Sequence, residues 1–137
     1  MSYALSGVGP YWACPFFQSD LDVTKRSAKC PLADDAIETR EIDRVVMLGQ
    51  THPQLIYEIM GRKGELTHAQ VELRTRYSEG LTAYRARHWD EARRAFAAAL
   101  ESVPNDGPSS TFIKRVDGLM ANPPGEDWNG SWHLEQK

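Results

Sequence analysis

The chain has 137 residues, of which 41% are hydrophobic and 26% charged, so it has room for one modest core or two small ones and is no large multidomain enzyme. Its formal net charge of −3 provides no general attraction to nucleic acid or anionic lipid. Cys14 and Cys30 are too few for a disulfide scaffold, and no apolar run approaches the roughly 20 residues that span a bilayer. We therefore expect a cytoplasmic protein that binds no nucleic acid and does not insert into a membrane.

The pattern of the chain changes near residue 37. Residues 1–36 combine several glycines and prolines with scattered aromatic residues and show no sustained periodicity, which is typical of an irregular leader. Residues 37–61 contain two runs rich in β-branched residues on either side of a turn at 49–52, and this pattern predicts a β-hairpin. Consecutive apolar residues from Val45 to Leu48 predict burial on both faces, so we expect the rest of the sheet to come from elsewhere.

The region 65–122 has the apolar spacing of helices. Thr67, followed three residues later by Gln70, predicts a capping box at the start of the first helix. Asp90 is the expected N-cap of the second helix, and Pro108 suits the first turn of a third. Three helices in this order predict a helical hairpin followed by one further helix.

The last segment, 123–137, carries two tryptophans without periodicity and is expected to be an irregular tail. Together the segments predict an α+β fold that is mostly α. Its order is a short β-hairpin at 37–61, then the helical hairpin and third helix at 65–122.

The first two helices resemble a tetratricopeptide repeat. Small residues, an aromatic residue and a proline occupy the positions that this motif assigns to them: Gly80, Ala92, Phe96, Ala99 and Pro104. Only one full repeat plus the third helix is present, and such arrays need about three repeats to be stable alone. The resemblance therefore implies a docking surface or a neighbouring domain. A generic helical hairpin that only packs is the alternative.

A longer resemblance rests on three stretches, which read REIDRVV at 40–46, GQ at 49–50 and IYEIMGRKGEL at 56–66. Their order and spacing are similar to the final hairpin in the catalytic domain of a bacterial class III adenylate or guanylate cyclase. Further stretches at 84–92, 106–109 and 127–134 are similar to the tetratricopeptide-like extension that follows this hairpin in a subset of these cyclases.

The resemblance implies a reaction that this chain is not expected to perform alone. A complete cyclase needs ATP and divalent metals, because two carboxylates hold the metals while the ribose hydroxyl attacks the α-phosphate. The family places those carboxylates upstream of its final hairpin, and too few residues precede the hairpin here. No P-loop, GxSxG or HExxH pattern offers another chemistry. We assign no catalytic, cofactor-binding or metal-ligating residue to the chain.

The first helix offers a candidate partner-binding face, because the corresponding helix of tetratricopeptide arrays faces the ligand groove. The face combines basic, aromatic and apolar side chains: Arg74, Tyr77, Leu81, Tyr84 and Arg85. The alternative is that its aromatic residues belong to the intramolecular core.

These observations lead to a first hypothesis, a non-catalytic C-terminal regulatory or protein-interaction segment of an adenylate cyclase. Its partner would be another protein or the rest of the catalytic domain. The second hypothesis is a stand-alone tetratricopeptide-like adaptor that binds a protein or peptide. A third is a chain that complements a separately encoded half of a cyclase.

Overall fold

The computed structural model describes residues 36–134, so the expected leader lies outside the described residues except for its last position. Two strands, three helices and a final short strand follow in order: β1 (Ile37–Val46), β2 (Gln54–Arg62), α1 (His68–Arg85), α2 (Trp89–Ser102), α3 (Gly107–Ala121) and β3 (Trp132–His133). The predicted fold class, α+β and mostly α, is confirmed.

The sheet has the strand order β2-β1-β3, with β1 at its centre. β1 and β2 form the predicted antiparallel hairpin over almost their full lengths. The tail, which we expected to be irregular, instead returns to β1 and pairs parallel to it, with Val45 opposite Trp132 and Val46 opposite His133. Part of the sheet that the hairpin was expected to need therefore comes from the chain's own tail.

The end of β1 differs from the prediction of burial on both faces. Val45 and Val46 are buried, but Leu48 is 58% exposed. The reason is that β1 ends at Val46, so Leu48 belongs to the turn that leads into β2.

Two of the helices begin as the sequence predicts. Thr67 Oγ1 accepts a hydrogen bond from the Gln70 backbone nitrogen, while the Gln70 side chain accepts one from the backbone nitrogen of Thr67. This is the complete capping box, which pairs two amide groups that a helix N-terminus otherwise leaves unsatisfied. At α3, Pro108 lies in the first turn and Asp106 is the N-cap.

The start of α2 corrects the prediction that Asp90 caps this helix. His88 is the N-cap and makes no side-chain capping hydrogen bond, whereas Asp90 lies in the first turn. The displacement follows from a tight α1–α2 connection in which Arg87 adopts a positive φ of 63°. Asp90 still carries its negative charge near the positive end of the helix dipole.

The core lies among the three helices and is dominated by aromatic rings. Its buried members come from all three: Tyr77, Leu81, Tyr84, Ala92, Phe96, Phe112 and Val116. The Phe96 and Phe112 rings stack at 4.9 Å between centroids, and Tyr77 meets both edge-on at 5.2 and 5.8 Å. Such offset and edge-to-face contacts are favourable beyond the apolar area they bury.

Gly80 is the point of closest approach between α1 and α2. A Cβ atom there would lie 2.7 Å from the Phe96 ring, so a side chain would force the helices apart. Ala92 and Ala99 are fully buried, as small residues in a tight helix pair should be. The packing matches the roles that the repeat motif gives these residues, while membership of the tetratricopeptide family stays a prediction.

Candidate functional site: a charged interface between the sheet and the helices

β1 contacts the helices through charged side chains. Three acidic residues and one arginine of this strand pair with residues of α1, α3 and the position before α3, and we call these four ion pairs the charged interface: Glu38–Arg74, Arg40–Asp106, Glu41–Arg85 and Asp43–Arg115. The partners are 36, 66, 44 and 72 residues apart in the sequence. The interface therefore joins one strand to two helices through long-range contacts.

The Arg40–Asp106 pair is the most buried of the four. Arg40 Nη2 donates to Asp106 Oδ1 at 2.6 Å, and Arg40 Nε donates to Glu58 Oε2 at 2.7 Å. The guanidinium also lies over the Tyr77 ring, 4.7 Å from its centroid. A charge removed from water in this way is tolerated only where charge partners and hydrogen bonds compensate for the lost hydration, and here two carboxylates and an aromatic face do so.

Asp106 links this pair to the start of α3. While one carboxylate oxygen accepts from Arg40, the other accepts from the Ser109 backbone nitrogen at 3.0 Å and from its hydroxyl at 2.6 Å. Burial alone would raise the pKa of Asp106, but the hydrogen bonds from Arg40 and Ser109 outweigh burial and hold the pKa below its ordinary value. One ionised carboxylate thus caps a helix and anchors a strand.

An irregularity in β1 brings its backbone into the interface. The register shifts between Glu41 and Asp43, which leaves Ile42 as the extra residue of a β-bulge. The Ile42 carbonyl accepts a hydrogen bond from the Tyr77 hydroxyl at 2.8 Å. Desolvation raises the pKa of Tyr77 well above its ordinary value, so this hydroxyl remains a neutral donor.

Asp43 holds the far end of β1 against α3. Its Oδ2 accepts from Arg115 Nη1 at 2.7 Å. The Arg115 guanidinium also lies 4.1 Å from the centre of the Trp132 ring and 4.9 Å from that of Phe112. Arg115 therefore contacts β1, the Phe112 ring of its own helix and β3 at once.

The structure places the five residues of the candidate partner-binding face against the protein itself. Tyr77, Leu81 and Tyr84 are 1%, 4% and 2% exposed and belong to the helical core. Arg74 and Arg85 are partly exposed and form the ion pairs with Glu38 and Glu41 described above. Tyr77, Leu81 and Tyr84 therefore lie in the intramolecular core, as the alternative for the aromatic residues expects, while a partner-binding role for this face of α1 stays a prediction.

The tail is held in place by Arg87 and by aromatic contacts. Arg87 Nη2 donates to the carbonyl oxygens of Gly125, Glu126 and Trp128 at 2.8, 2.9 and 3.2 Å. The Trp128 ring meets Tyr84 and Trp89 edge-on, at 5.1 and 5.4 Å between centroids. These contacts carry the chain back from α3 toward the edge of β1.

Sequence reasoning missed the charged interface and the tail contacts. One signal for the interface was available in the sequence. Four charged residues lie close together on a strand that was also expected to be buried: Glu38, Arg40, Glu41 and Asp43. Buried charges are rarely unpaired, so this pattern could have predicted opposite charges on the surface that β1 covers. For the tail, the signal was the pair of tryptophans in an otherwise polar segment.

The four ion pairs of the charged interface attach β1 to α1, to α3 and to the residue before α3. Within residues 36–134, no three or more His, Cys, Asp and Glu side chains are grouped so that they could hold a metal ion. None of the helices in this described part of the chain is both long and apolar enough to cross a membrane.

Comparison with known proteins finds similarity to an adenylate cyclase. The chain is 25% identical over 104 residues to "Adenylate cyclase, terminal-differentiation specific" of Dictyostelium discoideum. The match covers 74% of this chain but 5% of that cyclase, so the chain corresponds to a small part of the relative's length. No protein-family model and no solved structure matches. The expected relationship to an adenylate cyclase is supported at this level, while a bacterial origin stays a prediction.

Proposed function

We propose that this chain is a non-catalytic regulatory or protein-interaction segment from the C-terminal part of an adenylate cyclase, acting in cyclic nucleotide signalling in the cytoplasm. The observation that carries the proposal is the similarity of 74% of the chain to part of such an enzyme. In this assignment β1 and β2 end the catalytic domain, and α1–α3 form the tetratricopeptide-like extension. ATP and divalent metal would be bound by other parts of the complete enzyme.

The charged interface supports a regulatory role, because it connects the helices directly to β1. A protein that displaces α1 or α3 would pull on Arg74, Arg85 or Arg115, and each of these is paired with a carboxylate of the strand. Asp106 adds a connection at the start of α3. A strand at the end of a catalytic sheet would then respond to what the helices bind.

The experiment is a chimera in which residues 36–134 replace the similar segment of the Dictyostelium cyclase. In this proposal the helices act on β1 partly through the ion pair between Arg40 of β1 and Asp106 at the start of α3. Arg40→Met should therefore change the cyclase activity of the chimera severalfold. The matched control is Arg93→Met, which removes an arginine whose ion pair with Asp117 lies on the exposed helical surface at 2.8 Å. The proposal fails if both substitutions leave the activity unchanged, or if they alter it equally.

The non-catalytic part of the proposal has its own assay. The purified 137-residue chain, incubated with ATP and either Mg²⁺ or Mn²⁺, should release no cyclic AMP and no pyrophosphate. Turnover that disappears on substitution of a residue of this chain would overturn it.

The stand-alone adaptor is the second candidate, and one observation favours it. The hairpin finds partners within this chain. β3 pairs with one edge of β1, and the charged side chains of β1 pair with Asp106 and with Arg115 of α3. An adaptor of this kind should be monodisperse in light scattering and melt in one cooperative transition. A segment that needs the rest of a cyclase sheet should aggregate through the outer edge of β2.

A further inference from the structure

One corner of the charged interface carries more positive than negative charge. Arg44 lies close enough to Arg85 for the charge of Arg85 to lower the pKa of Arg44, and Glu41, already paired with Arg85, acts on Arg44 in the opposite direction. Arg44 forms no ion pair with any residue in the described part of the chain. The one hydrogen bond that its guanidinium makes to a described residue, from Nη1 to the Asn129 carbonyl oxygen, is long at 3.4 Å.

Two buried hydrogen-bond donors at this corner have no acceptor among the described residues. Arg85 Nε and the Ser131 hydroxyl are buried without a partner within residues 36–134. Unpaired buried donors are costly, so a group of them usually indicates a water or a ligand.

A short loop of the tail brings these groups together. Asn129 contacts Arg44, and Gly130 packs so tightly on Arg85 that a Cβ atom would lie 2.9 Å from the arginine Cγ. Gly130 also has a positive φ of 78°, which directs the chain over Arg85 before Ser131 enters the interior. Three separate segments, namely β1, the end of α1 and residues 129–131, thus converge on one point.

We propose that this corner, formed by Arg44, Arg85 and Ser131, binds an oxyanion of the phosphate or carboxylate type. Arginine guanidinium groups recognise both anions through charge-assisted hydrogen bonds, and the surplus positive charge here attracts them. Burial and the nearby Arg85 guanidinium lower the pKa of Arg44, while Glu41 partly opposes this, so a bound anion would relieve the repulsion between the two guanidinium groups. The inference is independent of the proposed cyclase role, since it concerns binding by the chain itself.

The test is a titration of the full chain with sodium phosphate at constant ionic strength. Binding is measured by calorimetry and by the change in melting temperature. Sodium acetate and sodium chloride are the parallel titrations. Phosphate or acetate should bind saturably and raise the melting temperature beyond the effect of chloride. The anion that binds more tightly shows whether the site prefers a phosphate or a carboxylate. No saturable binding of either anion would overturn the inference and leave ordered water as the partner of these donors.

Variants locate the site. Arg44→Gln should weaken anion binding about tenfold, because one charge-assisted hydrogen bond is lost. The matched control is Arg62→Gln, an exposed arginine at the end of β2, which should change the affinity less than twofold. Ser131→Ala should weaken binding severalfold without lowering the melting temperature measured in chloride, since it removes a buried hydroxyl that has no partner. Equal losses from Arg44→Gln and Arg62→Gln would contradict a defined site.

Discussion

The helices contact one another through apolar and aromatic side chains, whereas β1 contacts them through charged ones. Phe96 and Phe112 stack in the helical core, while Arg40 and Asp106 meet at the sheet. Apolar packing is non-directional and tolerates many partners, but a buried ion pair is favourable only with the correct opposite charge in the correct geometry. The helical core therefore supplies stability, and the charged interface determines where the strand sits.

The largest expected effect tests the apolar side of this comparison. Phe96→Ala should lower the free energy of unfolding by about 4 kcal/mol, because it removes a fully buried ring and leaves a cavity against Phe112 and Tyr77. Urea denaturation followed by far-UV circular dichroism measures the change. Val71→Ala, on the exposed side of α1, should cost less than about 0.5 kcal/mol. Similar losses in the two variants would contradict the assignment of the core.

The contribution of the charged interface is tested by Arg40→Met, which keeps an unbranched apolar stem and removes the guanidinium charge. The free energy of unfolding should fall by about 3 kcal/mol, because Asp106 then remains buried without its ion-pair partner. Arg93→Met removes one half of an exposed ion pair and should cost less than about 1 kcal/mol. If both substitutions cost the same in urea denaturation, the buried pair has no special role.

A substitution at the α1–α2 contact, Gly80→Ala, should cause an intermediate loss of stability. Gly80→Ala places a methyl group against the Phe96 ring, and overpacking of this kind costs about 2 kcal/mol. Gly118→Ala is the matched control in α3, where nothing lies within 4 Å of the new methyl group. There the higher helix propensity of alanine should leave stability unchanged or raise it by up to about 1 kcal/mol. A Gly80→Ala protein as stable as wild type would show that α1 and α2 are not closely packed.

A smaller, pH-dependent effect should come from Asp106. Its pKa lies below the unfolded value of 3.8, so its ionised form contributes stability that is fully present above that value and is lost as the pH falls through the folded pKa. The stability difference between wild type and Asp106→Asn should therefore be constant near neutral pH and shrink below pH 3.8. Urea titrations across this range measure it. A difference that grows on acidification would contradict the sign of the pKa shift.

The contrast between the two regions also explains what the sequence could predict. The capping box at Thr67 and the apolar spacing of α1 are local patterns, readable within one or two helical turns. The packing role of Gly80 is what the resemblance to the repeat motif implies, and it is found at the close approach of this residue to Phe96.

The charged interface was not predictable in the same way, because its partners are far apart in the sequence. Nothing local pairs Asp43 with Arg115, 72 residues later. The bulge at Ile42 also changes which side chains of β1 share a face. The two-residue strand at Trp132 is too short to leave a periodic pattern. For Tyr77, in contrast, the sequence favours the core over a partner-binding face, since its spacing with Leu81 and Tyr84 is that of an apolar helix stripe that faces a core.

The most direct test of the account is a double-mutant cycle on the Arg40–Asp106 pair. Arg40→Met, Asp106→Asn and the double variant are compared by urea denaturation, and Asp106→Asn keeps a side-chain oxygen for the Ser109 cap. The account predicts a coupling energy of about 2 kcal/mol, against less than about 1 kcal/mol for the exposed Arg93–Asp117 pair. If the two substitutions at Arg40 and Asp106 are instead additive to within about 0.5 kcal/mol, the strand is not held to the helices by this pair.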